Sequence, residues 1–215
     1  MSTFYRTSKR CTVCKTKSEQ TVIGSTNTFG SPDLDLRPPE MRRSTMYYWP
    51  EKCPHCGFVS YDLEQKTAIR KKWLESEAYT TCEGHSFISD LAAMFYKIYM
   101  IAKETNDSRD AFNALMNAAW ASDDCSDTEN ALLCRRMLLP YLEQEIAKDA
   151  RMAETLTIAR ADVLRRAELF DQVIEEYSGK VFSEDLLNEI CQFQIEKAKQ
   201  KDADCYRVCD VHPGN

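Results

Sequence analysis

The sequence predicts an α+β fold, a small N-terminal β module followed by an all-α array of antiparallel helical hairpins. Three observations lead there. Two Cys-x-x-Cys pairs, Cys11/Cys14 and Cys53/Cys56, bracket the first quarter of the chain. Between them lie short strand-like bursts and a Pro-rich stretch. Beyond residue 60, apolar residues recur at three- and four-residue spacing, the period of a helix with one buried face. The boundary divides residues 1–60, a cysteine-bracketed module with a Pro-rich insertion, from residues 61–215, a helical-hairpin domain.

Within the first module, "QTVIGSTNTF" and "TMYYWPEKC" are rich in β-branched or aromatic residues and bounded by Gly, Pro and Asp, so both are expected as strands. "GSPDLDLRPPEMRRS" between them holds three of the seven prolines and is expected as an irregular loop. A first helix is expected from Leu63 to Tyr79 with Ile69, Trp73 and Leu74 inward. Gly84 interrupts the chain before a second, from Ser86 to Lys103, whose wide apolar coverage marks it as central. Asp107 or Ser108 caps a third helix carrying Phe112, Leu115, Met116, Ala119 and Trp120. Ser126 with Glu129 has the spacing of a capping box for a fourth, with Pro140 expected to kink or split it. Helices over 153–167 and 168–177 follow. Ser183 opens the last long one, with Leu187, Ile190, Phe193 and Ile195. Short connections between such helices favour antiparallel packing.

Two Cys-x-x-Cys turns separated by strand-like sequence point to one tetrahedral zinc site with Cys11, Cys14, Cys53 and Cys56 as ligands, a zinc ribbon. In the second turn Pro54 presets the bend and Gly57 supplies a positive φ on leaving it. The first turn has Lys15 where that glycine would be. The 38 residues between the pairs exceed an ordinary ribbon loop, and the Pro-rich insertion accounts for the excess. Redox use of Cys-x-x-Cys wants a strand–helix context that neither pair has. His55 is expected to point outward. Cys125, Cys134 and Cys191 read as packed free thiols. Cys82, His85, Cys205 and Cys209 form a candidate second metal set, provided the tail folds back onto the turn at residues 82–85.

The chain has 215 residues, 43% of them hydrophobic and 29% charged, the composition of a globular protein. The start, "MSTFYRTSKRC", lacks the apolar core of a signal peptide, and no apolar run approaches the roughly 18 residues of a membrane span. A cytoplasmic location follows as an expectation, and reduced thiols there favour metal over disulfides. Residues 1–60 carry nine Lys/Arg against five Asp/Glu, and the remainder nineteen against twenty-nine. The basic head is expected either to meet a different partner from the acidic body, or simply to offset thiolate charge through Lys9, Arg10, Lys15 and Lys52.

Taken together, "CTVC", "FGSPDLDLRPPEMRRSTMYYW", "CPHCGFVSYDL" and the helical body resemble a family of uncharacterised bacterial proteins (a domain of unknown function). There an N-terminal zinc ribbon precedes a tetratricopeptide-like helical region. The resemblance implies one structural Zn2+ and helical hairpins of that type. "ADVLRRAELFDQVIEEY" is similar to the middle of a tetratricopeptide repeat. Ala161 stands at the small position, and Phe170, Val173 and Tyr177 stand at the aromatic, small and aromatic positions. The turn falls at Ala167-Glu168, and Thr157 stands where the repeat has tryptophan. No second clean copy follows at the repeat spacing.

The leading functional expectation is a non-enzymatic adaptor whose helical hairpins offer a surface to a protein or peptide. The alternative is nucleic-acid binding by the ribbon. Tyr47, Tyr48 and Trp49 beside Arg37, Arg42 and Arg43 could stack bases and neutralise phosphates, or the aromatics could pack the ribbon against Trp73. An enzyme is the least supported class, because no phosphate-binding glycine loop or hydrolase motif is present. Asp33, Asp35, Arg37, Arg42 and Arg43 on the Pro-stiffened loop make either a recognition surface or internal salt bridges.

Overall fold

The computed structural model describes residues 1–213, and the α+β expectation holds. β1 (Thr3–Arg10) and β2 (Lys17–Ser25) form an antiparallel hairpin with Arg10 opposite Lys17 and Phe4 opposite Ile23. A second, two-residue ladder pairs β3 (Glu51–Lys52) with β4 (Val59–Ser60). The helices are α1 (Lys71–Leu74), α2 (Glu77–Thr80), α3 (Asp90–Thr105), α4 (Ser108–Asp123), α5 (Thr128–Lys148), α6 (Ala153–Arg166), α7 (Phe170–Tyr177), α8 (Asp185–Lys199) and α9 (Val208–Val211). Each of α3 to α6 packs against the next, and α8 closes against α6 and α7. No helix is long and apolar enough to cross a membrane.

Several elements depart from expectation for local reasons. β1 lies in a segment read only for its lack of a signal peptide. The strand expected at "TMYYWPEKC" is mostly a 3-10 turn over Arg43–Tyr48. There the Thr45 hydroxyl donates to the Arg42 carbonyl and accepts from Trp49 Nε1, which curls the backbone. The single helix expected from Leu63 to Tyr79 is two short ones. Asp62 and Thr67 side chains accept from the N–H groups of Glu64 and Ile69, holding the chain in turns that compete with helix. Ser76 then caps α2 by accepting from Tyr79 N–H. The fourth helix is capped by Asp127, not Ser126, which has φ 59°. α5 runs unbroken through Pro140, whose exposed position leaves the carbonyl freed at Arg136 open to water.

The texture boundary at residue 60 does not divide the core. One apolar cluster joins Cys11, Met46, Cys53, Phe58, Val59 and Leu63 of the head to α3, α4 and α5. A second joins α6, α7 and α8 and includes Leu34 from the Pro-rich insertion. The hairpin expected at residues 153–177 is formed by α6 and α7: Ala161, Val173 and Tyr177 are fully buried, and Tyr177 donates to the Thr157 carbonyl at 2.7 Å. Glu168 in the turn takes φ 61°.

Between the two clusters lies a buried ionic knot. Asp35, fully buried, accepts from Trp120 Nε1 of α4 at 2.9 Å and Arg166 Nη1 of α6 at 2.7 Å, with Arg135 of α5 at 3.7 Å. Asp123 bridges the same two arginines, at 2.5 Å and 2.7 Å. Arg37 pairs with Asp124 at 2.5 Å and Arg43 with the buried Asp33 at 2.6 Å. The loop is thus fastened inward. Asp35 and Arg37 are not available for recognition, Arg43 is committed to Asp33, and only Arg42 of the five candidate loop residues lies open.

Burial would raise the Asp35 pKa, but Arg166 and Arg135 outweigh it and hold the carboxyl below its ordinary value. A depressed folded pKa contributes stability that is complete above the ordinary value of about 3.9 and is lost as pH falls through the folded value. Asp35→Ala should lower unfolding free energy by about 3–5 kcal/mol in urea titrations followed by Trp fluorescence, because it leaves two buried arginines sharing the single carboxylate of Asp123. Asp35→Asn should flatten the acid limb of the stability–pH profile.

Candidate metal centre

The two cysteine turns have one backbone design despite different sequences. In the first, Lys15 N–H donates to the Cys11 carbonyl (2.9 Å) and Cys11 N–H to Thr16 (3.0 Å). In the second, Gly57 N–H donates to the Cys53 carbonyl (3.0 Å) and Cys53 N–H to Phe58 (2.8 Å). The residue after each second cysteine is left-handed, Lys15 at φ 63° and Gly57 at φ 74°. The glycine missing from the first turn is therefore replaced by a lysine in the same conformation. The turns differ where they meet the body. Thr12 N–H donates to the Leu63 carbonyl at 2.8 Å, a bond that Pro54, its counterpart, cannot make.

All four sulfurs lie within 4.8 Å of one another. Cys11 and Cys56 are 3.7 Å apart, and Cys14 and Cys53 are 3.6 Å apart. A disulfide would need about 2.05 Å. Four thiolates about 2.3 Å from a central ion lie about 3.8 Å apart, so the set fits a tetrahedral site. Burial pushes the Cys11 and Cys56 thiols up. At Cys14 burial is outweighed by hydrogen bonds from the Thr16 hydroxyl and N–H, which hold it down at about 6. Sulfur anions this close repel, so one ionises readily and the last does not. A divalent cation removes that conflict.

Two of the four cations expected to offset the thiolates are engaged elsewhere. Lys9 is taken by Glu51 (2.6 Å) and Asp62 (3.0 Å), and Lys15 Nζ donates to the Thr12 carbonyl. These groups instead pin the centre: Glu51 also accepts from Leu63 N–H, and Tyr79 donates to the Gly57 carbonyl at 2.9 Å. His55 points into solvent, as expected.

The second candidate set is not brought together. Among the described residues, the four thiols above are the one group of three or more Cys, His, Asp or Glu ligands close enough to share an ion. The tail does fold back, but onto the Pro-rich insertion. Tyr206 O and Val208 N–H bond Leu34 and Pro32, Cys209 N–H donates to Ser31 Oγ, and the Cys205 thiol donates to Asp33 at 3.4 Å. Cys82 is buried in the first core cluster, and the His85 ring stands edge-on to Tyr96. Cys134 and Cys191 are buried in helices, as expected for packed thiols.

The surface aromatics differ from expectation too. Trp73 packs on Tyr79, not on the ribbon's aromatics. Tyr48 instead stacks with Phe4 of β1 at 4.6 Å, and Tyr47 meets Tyr48 edge-on at 5.7 Å. Sequence reasoning missed Phe4, Tyr5 and Arg6 as surface residues because β1 itself was missed. The alternation of Thr3, Tyr5 and Thr7 was the available signal.

Comparison of the chain with protein-family models, curated proteins and solved structures returns no match. The centre is defined by its own geometry.

A left-handed lysine is strained by about 1–2 kcal/mol relative to the ordinary helical conformation, and glycine is not. Lys15→Gly should therefore stabilise the metal-loaded protein by up to about 1 kcal/mol. Gly57→Ala should destabilise it by about 1–2 kcal/mol through backbone strain alone, since a Cβ there meets nothing within 4 Å. Urea midpoints of the two variants test both signs.

Proposed function

We propose that this is a non-catalytic interaction protein whose head is held by one structural zinc ion and carries the partner surface. The observation that carries the reading is where large apolar side chains reach solvent. Among the described residues, Met1, Phe4, Tyr5, Phe29, Leu36, Tyr47 and Tyr48 do so in the head. The body exposes Ile88, Met152 and Val181, each alone in a different connection. Of these, Phe4, Tyr48 and Tyr47 touch in series and Met1 shares a hollow with Phe4, and such a cluster is the mark of an interaction site, whereas scattered single residues are not. The partner surface is thus assigned to the head in place of the helical hairpins.

Zinc is the ion best suited to four thiolates in a closed tetrahedron, and such a site leaves no coordination position for a substrate. Cys82 makes a poor nucleophile, because burial pushes its thiol up.

Purified protein should contain one zinc per chain by mass spectrometry, and cobalt substitution should give the intense visible bands of a tetrahedral thiolate site. Cys53→Ser should lose the metal and unfold the head, since structural zinc contributes on the order of 10 kcal/mol of apparent folding energy. Iron in place of zinc would overturn the metal assignment. A photo-crosslinker placed at Tyr47 should form adducts in cells where one at Val181 does not; the reverse would return the surface to the helical body.

A further inference from the structure

Resting on the assignment of the partner surface to the head, we propose that this surface binds single-stranded nucleic acid. β1 and β2 place Phe4, Arg6, Ser8 and Arg10 on the same face as their cross-strand partners Ile23, Thr21, Glu19 and Lys17. Arg6, Arg10 and Lys17 are exposed, and none of them forms an ion pair among the described residues. Glu19 is the one acid that the two strands place on that face, and the Glu64 carboxylate lies beside Arg10, accepting from its backbone N–H at 3.1 Å. At the far end the strip runs into Phe4, with Tyr48 tilted against it and Tyr47 edge-on to Tyr48, and with Tyr47 68% and Phe4 43% exposed. One hairpin therefore joins open aromatic rings to a row of uncompensated cations spanning ~14 Å from Arg6 to Arg10.

That pairing matches the two parts of a single strand, bases that stack on aromatic rings and phosphates that seek cations. A duplex hides its base faces and would leave the tyrosines unused. A hollow of about 430 Å3 beside Phe4, edged by Met1, Met41, Ser44, Thr45 and the Glu40 carboxylate, which accepts from Ser44 Oγ, gives a splayed base somewhere to go. The body beyond residue 60, with nineteen basic against twenty-nine acidic residues, repels a polyanion and directs it to the head. Of the arginines first expected to take this part, Arg37 is paired with Asp124 and Arg43 with Asp33, and Arg42 alone lies open. The other open cations come from the strands.

The test uses the zinc-loaded full chain and fluorescein-labelled oligo(U), oligo(dT) and a duplex, each roughly a dozen nucleotides long. Anisotropy should show both strands binding more tightly than the duplex; comparing oligo(U) with oligo(dT) tells RNA from DNA. The logarithmic salt slope should be about −2, for three cations on a single strand. Tyr47→Ala with Tyr48→Ala should weaken binding at least about fivefold. Arg6→Ala with Arg10→Ala should flatten the slope by about 1.4. All four side chains are exposed, so zinc content and melting should not change. No binding at low salt, equal or tighter duplex binding, or indifference to the tyrosine changes would overturn the inference. If strands fail to bind while the crosslinker at Tyr47 still yields a protein adduct that Val181 does not, this inference falls and the head-surface assignment stands. If neither binding nor adduct is seen, both fall.

Discussion

The structure depends on a carboxylate with no access to water. Asp35 belongs by sequence to the head, yet its partners come from α4, α5 and α6. A buried charge is tolerable only with close counter-charges, and here Arg135 and Arg166 supply them while Asp123 balances the arginines from the other side. Leu34, its neighbour, reaches into the second apolar cluster, while the cysteine turns belong to the first. The insertion is therefore the piece that holds the two clusters in one arrangement. Ionic contacts of this kind add specificity more than net stability, because few alternative packings would satisfy every member.

The four-cysteine cluster acts on a smaller scale. Its two turns are almost the same object, and the sulfur geometry follows from that repeated backbone. Thr12, Tyr79 and Glu51 then connect the turns to residues 57–63 and the helices beyond. Ordering the sulfurs orders the base of the hairpin, whose outer half stays in solvent. The head is thus rigid at its root and open along its length, an arrangement suited to presenting a surface.

Much of this was legible in the sequence for identifiable reasons. The ligand set followed from cysteine spacing, and α3, α4 and the α6–α7 pair from apolar period and caps, since these are local signals. β1 was missed because three of its eight residues are charged and it lies on a hairpin largely in solvent, where strand patterning by burial is weak. The helix expected from Leu63 failed where Asp62 and Thr67 side chains bonded forward to the backbone. That Asp35 forms internal salt bridges was one of two readings of the loop, and the structure bears it out, but its partners could not be read. Its partners lie 85 to 131 residues away, and nothing in "DLDLRPP" separates a buried anchor from an exposed loop.

The clasp between residues 31–34 and 206–209 has a consequence for biosynthesis. The insertion leaves the ribosome long before its backbone partners at Tyr206 and Val208, which lie at the other end of the helical body. Until they emerge, Pro32 and Leu34 lack their final neighbours, and Asp35 must wait for Arg166 as well. The segment translated early is completed late, so the head cannot mature as an independent unit during synthesis, and a truncated product would leave a charged, unfinished loop for the quality-control machinery to find.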